Sequence, residues 1–170
     1  MKHHDILIVG SGVIGTTLAN SLKSDDLSIG IIDSEASPKF SKRHLSINSN
    51  SLNFLKKLDL WHLIKPNAFP YETIKVWDQE GSGFIEFNSK DTERENLGHI
   101  VCEGDIQKFA LSALDEKQIS FYWENNLEEV KKESSEIICK TSGDIFSCSI
   151  LIGCDGRYRK GKFRTYCLRR

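Results

Sequence analysis

Three glycines near the N-terminus have the spacing of a phosphate-binding turn, because residues 10–15 fit the pattern GxGxxG. In such a turn the first glycine permits a tight bend, the second leaves room for a pyrophosphate beside the backbone, and the third lets a helix pack closely on the preceding strand. The N–H groups and positive dipole end of that helix attract phosphate oxygens. The candidate pyrophosphate-binding residues are therefore Gly10, Ser11, Gly12, Val13, Ile14 and Gly15.

An acidic residue follows the glycines at the distance that a dinucleotide-binding unit requires. Asp33 lies 23 residues after Gly10, at the end of an apolar run. A carboxylate there can accept hydrogen bonds from the adenosine ribose hydroxyls, and it disfavours a 2′-phosphate. Asp33 and the adjoining Ser34 are candidate ribose contacts, and Glu35 is a weaker candidate because it lies two residues past the strand. The alternative is a structural glycine turn followed by an incidental aspartate.

The elements around these residues are those of a βαβ unit. Residues 5–10 form a short apolar run ending in glycine, which is typical of a strand buried on both faces of a parallel sheet. Residues 13–23 predict a helix, and residues 28–33 repeat the buried-strand pattern. Strand, turn, helix and strand therefore fit within one right-handed crossover. The helical residues expected to face the sheet are Ile14, Leu18 and Leu22.

The remainder of the chain predicts further helices and strands, and then a change of composition. The expected elements are a loop at 34–42, a helix through Leu52, Leu55 and Leu58 that extends to Ile64, an antiparallel hairpin of 71–77 and 84–87 around the turn 81–83, a helix at 105–117 that starts at Asp105, and strands at 119–123, 127–132, 137–141, 145–149 and 150–153. From Arg157 onward seven of the last fourteen residues are Lys or Arg and no apolar period survives. We expect that tail to be loose.

Composition narrows the classes of partner. With 39% hydrophobic and 28% charged residues among 170, the chain has the composition of one globular domain, and its net charge of -1 gives no reason to expect a nucleic-acid partner. The five cysteines show no CxxC pair and no metal-ligand spacing, so we expect thiols in a reducing compartment, a cytoplasmic location and no metal site. The sequence contains no run of about 18 apolar residues, so it predicts no membrane-spanning helix.

A second motif distinguishes between FAD and NAD, which share the glycine fingerprint. Residues 150–156, Ile-Leu-Ile-Gly-Cys-Asp-Gly, resemble the second FAD motif of the aromatic-hydroxylase group of flavoprotein monooxygenases, in which a buried strand ends in Gly-Ala-Asp-Gly. The resemblance implies that Asp155, with Gly156, contacts the ribityl and pyrophosphate region of the flavin. Taken alone, the segment also fits a strand followed by an Asp-Gly turn.

Three further segments resemble the ubiquinone-biosynthesis hydroxylases within that group. Residues 42–61 resemble a segment in which an arginine precedes a helix ending in Leu-Gly-Leu-Trp, and Arg43 matches that arginine. A guanidinium there suits phosphate oxygens, although a surface arginine at a helix start is the alternative. Residues 74–78 resemble Met-x-Val-Trp-Asp, and residues 97–101 resemble Leu-Gly-Tyr-Ile-Val. After Val101 the family usually reads Glu-Asn and then a helix, whereas here residues 102–105, Cys-Glu-Gly-Asp, intervene, so the match shifts by one residue.

Past that shift, Gln107 matches a polar family position near the flavin, and a solvent-facing glutamine is the alternative. The resemblance implies an α/β fold: a Rossmann-like FAD-binding domain, with a βαβ dinucleotide unit, a parallel sheet and an inserted antiparallel hairpin, here incomplete. Residues 1–156 would be the N-terminal part of that domain, and residues 157–170 a basic tail. A third FAD motif, Gly-Asp-Ala-Ala-His, is not found in the 170 residues.

The resemblance also implies a chemistry, in which FAD is reduced by NAD(P)H, reacts with O2 and hydroxylates the aromatic ring of a polyprenylated ubiquinone precursor. We expect this chain to be an FAD-binding fragment of such an enzyme, inactive alone and without catalytic residues of its own. The polyprenyl phenol would be a partner only of a full-length relative, and peripheral association with a ubiquinone-biosynthesis complex at the inner membrane stays open. Two alternatives remain: a small ADP- or dinucleotide-binding module, and another FAD-dependent oxidoreductase.

Overall fold

The computed structural model describes residues 1–79, 81–114, 119–156 and 166–167. Its contacts divide the chain into two units, a first unit of Met1–Phe40 with Ala110–Arg170 and a second unit of Ser41–Phe109. In chain order the elements are β1 Lys2–Val9, α1 Val13–Leu22, β2 Ile29–Ile32, β3 His44–Ile47, α2 Ser49–Lys57, α3 Trp61–Ile64, β4 Phe69–Tyr71, β5 Thr73–Trp77, β6 Phe84–Asn88, β7 Gly98–Cys102, α4 Glu103–Ser112, β8 Ile119–Tyr122, β9 Leu127–Lys132, β10 Ile137–Thr141, β11 Ile145–Gly153 and β12 Tyr166–Cys167. The described residues also contain short 3₁₀ helices at Lys65–Asn67 and Ser89–Thr92.

The first unit is built on a mixed sheet with the strand order β8-β2-β1-β11-β10-β9, and β12 pairs with β11. Strands β8, β2, β1 and β11 are parallel, whereas β9, β10 and β12 run antiparallel to their neighbours. The chain adds β2 and then β8 on one side of β1, and it later returns to place β11 on the other side. The strand order therefore reverses between β1 and β11, which is where open α/β sheets bind ligands.

Both faces of this sheet are covered by apolar side chains. One face carries the buried cluster Leu7, Val9, Ile32, Ile137, Cys139, Phe146, Cys148 and Leu151. The other face carries Ile6, Ile8, Ala19, Ile29, Ile31, Leu114 and Ile119. Burial on two faces explains why β1 and β2 are continuous apolar runs, as the sequence predicted, and the Rossmann-like α/β class is confirmed.

Helix α1 has the predicted position, and two of the three residues expected to face the sheet, Leu18 and Leu22, pack against its buried cluster. Ile14, which we expected to face the sheet, is 67% exposed. The buried residues of the helix are instead Gly15, Thr16, Thr17, Ala19 and Asn20. Small residues permit a close approach of helix to strand, and the threonine hydroxyls are satisfied within the helix, since Thr16 Oγ1 donates to the Gly12 carbonyl at 2.9 Å. The spacing of large apolar residues therefore identified Leu18 and Leu22 correctly, but it missed the small residues that are buried on this helix.

Strand β11 corrects a second expectation. The sequence suggested two strands at 145–149 and 150–153, and the structure has one strand of nine residues. It pairs with β1 over most of its length, while β10 pairs with its first half and β12 with Ile150 and Leu151. Ser147 and Ser149 broke the apolar pattern without ending the strand. Of the basic tail, only Tyr166–Cys167 is described, and the expected looseness of 157–165 and 168–170 lies outside the described residues.

The second unit contains an antiparallel sheet of order β3-β7-β4 and the separate hairpin β5-β6. The hairpin was predicted, but β3 was not, because its four residues had been assigned to the approach to a helix. The helix expected through Leu58 to Ile64 is two helices, α2 and α3, and Asp59 between them has a φ of 56°. Helix α4 begins at Glu103, two residues before the predicted start, and the predicted end at 115–117 lies outside the described residues.

Candidate functional site

The glycine turn begins where three parallel strands end. Gly10 has a φ of +103°, and a Cβ atom there would lie 2.7 Å from the carbonyl oxygen of Cys154. The Gly10 N–H donates to the Ile32 carbonyl at 2.8 Å, and the Cys154 N–H donates to the Val9 carbonyl at 2.7 Å. The turn is therefore joined to the ends of β1, β2 and β11, and both the backbone angle and the close carbonyl require glycine.

The other two glycines of the motif have different surroundings. A Cβ atom at Gly15 would collide with the carbonyl oxygen of Gly10, so the third glycine lets α1 pack on the turn. A Cβ atom at Gly12 would meet no described atom within 4 Å. Gly12 is the N-cap of α1, and within the described chain neither a side-chain cap nor a first-turn acid occupies that helix end. Such an N-terminus, open at Gly12 and flanked by Val13 and Ile14, suits an anionic group.

Asp33 is bonded directly to the glycine turn. Its Oδ2 atom accepts hydrogen bonds from the Ser11 backbone N–H at 2.7 Å and from the Ser11 hydroxyl at 2.6 Å. Its Oδ1 atom accepts from the Glu35 N–H at 3.0 Å. The carboxylate thus fixes the turn to the end of β2, at the position expected for ribose recognition. Glu35 and Ser34 are exposed, and Glu35 is in an ion pair with Lys39.

Asp155 and Gly156 follow β11 on the same edge of the sheet. The Cα atom of Asp155 would lie 3.0 Å from a Cβ atom at Gly10, which places the two motifs side by side. Gly156 has a φ of +73°, and a Cβ there would meet no described atom within 4 Å. The fold therefore brings together the glycine turn, Asp33 and the Asp155 segment, from positions up to 146 residues apart in the sequence.

Arg43 and Gln107 belong to the second unit. The Arg43 Nε and Nη2 atoms donate to the two carboxylate oxygens of Glu103 at 3.0 and 2.7 Å. The carboxylate raises the pKa of Arg43 through hydrogen bonding and charge, and the guanidinium lowers the pKa of Glu103. Gln107 is only 6% exposed, so the solvent-facing alternative was wrong. It lies four residues after Glu103 and hence on the same side of α4.

Sequence reasoning overlooked Glu103. It lies in the stretch where the resemblance shifts by one residue, and the family glutamate expected directly after Val101 was the signal that could have identified it. The structure also shows that the segments 42–47 and 97–101 are neighbours, because β3 and β7 are paired from His44 with Cys102 to Ile47 with His99. Two segments that resemble the family in sequence therefore lie side by side as one antiparallel strand pair.

One buried histidine outside these motifs has structural partners. His4 is buried, and its ring nitrogens bond the hydroxyls of Ser28 at 2.8 Å and Tyr122 at 3.0 Å. The described residues contain no group of three or more His, Cys, Asp or Glu side chains arranged to hold a metal ion. Every helix in the described parts of the chain is too short or too polar to cross a membrane.

The fold and the motif geometry are those of a dinucleotide-binding α/β domain. The sequence model of the family described as FAD binding domain matches residues 3–164, so the chain belongs to this family and its cofactor is FAD. The glycine turn, with its open helix end at Gly12, fits the pyrophosphate of that cofactor.

Several of the similar proteins are named as monooxygenases or hydroxylases of ubiquinone biosynthesis. The chain is 27% identical to the mitochondrial ubiquinone biosynthesis monooxygenase COQ6 of Drosophila melanogaster, with 91% of this chain and 36% of that protein covered. It is 23% identical to the ubiquinone hydroxylase UbiM of Neisseria meningitidis, with coverages of 92% and 36%. The chain thus spans about a third of the length of these curated relatives.

The fold is also found in the crystal structure of p-nitrophenol 4-monooxygenase PnpA from Pseudomonas putida. The TM-score is 0.77 at 16% identity, and the superposition covers 92% of this chain and 42% of that one. The predicted resemblance to FAD-dependent aromatic hydroxylases of the ubiquinone type is therefore confirmed, and this chain is similar to the FAD-binding part of such enzymes.

Proposed function

We propose that this chain is the FAD-binding part of a monooxygenase that hydroxylates the aromatic ring of a polyprenylated ubiquinone precursor with NAD(P)H and O2. The observation that carries the proposal is the meeting of Gly10, Asp33 and Asp155 at the strand-order reversal. The similarity to COQ6 and UbiM supports the choice of substrate class. FAD, when bound, would supply the transfer of electrons from NAD(P)H to O2.

The chain's own residues would bind and orient the cofactor. The N–H groups at the start of α1, in residues 10–15, would donate to the pyrophosphate. Asp33 and Ser34 would receive the adenosine ribose, with Ser11 holding the Asp33 carboxylate in place. Arg43 would donate to a cofactor phosphate, and Gln107, Asp155 and Gly156 would contact the flavin half. None of these groups is proposed to move a proton during hydroxylation.

In our proposal the 170-residue chain binds FAD but does not hydroxylate. It spans about a third of its curated relatives, and its sequence has no Gly-Asp-Ala-Ala-His motif. Binding of the adenosine and pyrophosphate half needs only the residues described above, whereas hydroxylation needs a site that places an aromatic ring beside the flavin and excludes water.

The test is a titration of the purified chain with FAD, FMN and ADP-ribose. Flavin fluorescence and calorimetry monitor the binding. We expect one FAD per chain, weaker binding of ADP-ribose, and the weakest binding of FMN, which lacks the adenosine half. Gly12→Val should weaken FAD binding, because a branched side chain would fill the open helix end. Gly83→Val is the matched control, since a Cβ there also meets no described atom within 4 Å.

Three results would each contradict a different part of the proposal. ADP-ribose binding as tight as FAD binding would favour a dinucleotide-binding module without flavin chemistry. NAD(P)H-dependent hydroxylation of a polyprenyl phenol by the isolated chain would show that it is active alone. Equal loss of FAD affinity in Gly12→Val and Gly83→Val would remove the assignment of the pyrophosphate to the glycine turn.

A further inference from the structure

The pairing of Arg43 with Glu103 is geometrically specific. Two parallel hydrogen bonds, at 3.0 and 2.7 Å, join the Nε and Nη2 edge of the guanidinium to both carboxylate oxygens. A bidentate pair of this kind fixes the plane of the guanidinium as well as its distance. Lysine could not reproduce it, because an ammonium group has no planar fork.

Glu103 is the better anchored of the two residues. Its side chain is 20% exposed, compared with 67% for Arg43. Its backbone N–H donates to the Arg43 carbonyl at 2.8 Å, and the Gly104 N–H donates to the Ser41 carbonyl at 3.0 Å. The segment before β3 is therefore tied to the start of α4 by backbone and side-chain contacts together. The Glu103 carboxylate is therefore held in place by the fold, and the Arg43 guanidinium is held by its hydrogen bonds to that carboxylate.

The third nitrogen of the guanidinium remains available. In the described part of the chain, the Nη1 group of Arg43 makes no hydrogen bond, and it points away from the edge that Glu103 occupies. Two N–H donors therefore face outward from a guanidinium of fixed orientation. The Glu103 carboxylate is negatively charged and would repel a phosphate that came close to it. Any contribution of Glu103 to phosphate binding must therefore act through Arg43.

We propose that Glu103 is a positioning residue that holds Arg43 ready to donate to a phosphate of the cofactor. The inference rests on the proposed function, because it takes FAD as the ligand of Arg43. Its distinguishing consequence is that Glu103 should affect FAD binding only while Arg43 is present.

The test is a double-mutant cycle on the full chain, with FAD dissociation constants for the wild type, Glu103→Gln, Arg43→Ala and the double variant. Glu103→Gln should weaken FAD binding by about two- to fivefold, the range expected for loss of one exposed bidentate pair. In the Arg43→Ala background, the same change should have no effect. Glu86→Gln is the matched control, because Glu86 is paired with Lys75 at 3.3 Å in the same unit and should leave FAD affinity unchanged.

Thermal unfolding of each variant separates folding from positioning. If Glu103→Gln does not fold, Arg43→Lys provides the second measurement, since it keeps the charge and loses the fork, and it should weaken FAD binding as Arg43→Ala does. Equal weakening by Glu103→Gln with and without Arg43 would overturn the inference, and so would full FAD affinity in Arg43→Lys. A wild-type chain that binds no FAD would instead overturn the proposed function, and this inference with it.

Discussion

Gly10 and Gly12 lie two residues apart in one turn, yet the backbone places different demands on them. Gly10 needs its φ of +103° and has a carbonyl oxygen 2.7 Å from any Cβ, whereas Gly12 has an ordinary φ of -66° and open space. The first glycine is therefore required by the fold itself, and the second is required only if a ligand approaches.

This difference predicts effects of unequal size for the same substitution at the two positions. Gly10→Ala should lower the free energy of unfolding by about 1–3 kcal/mol, because alanine would be strained at this φ and would press on Cys154. Gly12→Ala should change it by no more than about 0.5 kcal/mol. Urea denaturation without FAD measures both. Equal destabilisation would show that Gly12 also has a structural role.

At the scale of elements, the hairpin β5-β6 has the largest share of exposed apolar side chains in the second unit. Ile74 pairs with Phe87 and Val76 with Ile85, and these four residues, 38% to 60% exposed, line one face. Trp77 and Phe84 are opposite each other on the second face and are exposed as well. An exposed apolar face of this kind promotes association of chains in solution.

We therefore predict that Val76→Thr with Ile85→Thr increases the monomeric fraction of the isolated chain and leaves its melting temperature nearly unchanged. Threonine keeps the branching that strands favour and removes apolar surface. Light scattering coupled to size exclusion measures the association. The control is Ile137→Thr, the same kind of change at a fully buried position of β10, which should destabilise the fold strongly. An unchanged monomeric fraction would exclude the hairpin face as the cause of association.

Elements were predictable from sequence where burial was uniform. Strands β1 and β2 were recognised because both faces are covered, and the hairpin because two apolar segments flank glycines. Strand β3 was missed because only Ile47 of its four residues is buried, so no alternation marks it. On α1 the spacing identified Leu18 and Leu22, which pack against the sheet cluster, but it missed the buried Gly15 and Ala19, because small residues carry little hydrophobic signal.

At the scale of the whole molecule, the candidate site was predictable only in part. Gly10, Asp33 and Asp155 follow strand ends, and parallel strands bring such ends to one edge, so their meeting in the first unit could be inferred from pattern alone. The pairing of Arg43 with Glu103 could not, because it depends on the register of β3 against β7. Contacts of this type are set by strand pairing over about 60 residues of sequence, not by a local motif.

His4, which is buried in the first unit, and His99, which is partly buried in the second, both make the stability of the molecule sensitive to acid. Burial, assisted by the charge of His3, lowers the pKa of His4 below its ordinary value of 6.5. Burial also lowers the pKa of His99, whose Nδ1 atom has no hydrogen-bond partner among the described residues. Below pH 6.5 the unfolded chain binds protons that the folded chain does not, so stability is full above that pH and falls as the pH drops.

We predict that the free energy of unfolding decreases between pH 7 and pH 5, and that His4→Gln and His99→Gln each reduce this decrease. Glutamine does not titrate in this range and can still bond Ser28 or Tyr122 from position 4. His3→Gln, at an exposed position of the same strand, is the control and should leave most of the decrease in place. Urea titrations at each pH, on the wild type and on every variant, measure the decrease. Because the two histidines lie in separate units, the double variant should lose both contributions additively, and a steep decrease that survives in it would assign the acid sensitivity to carboxylates instead.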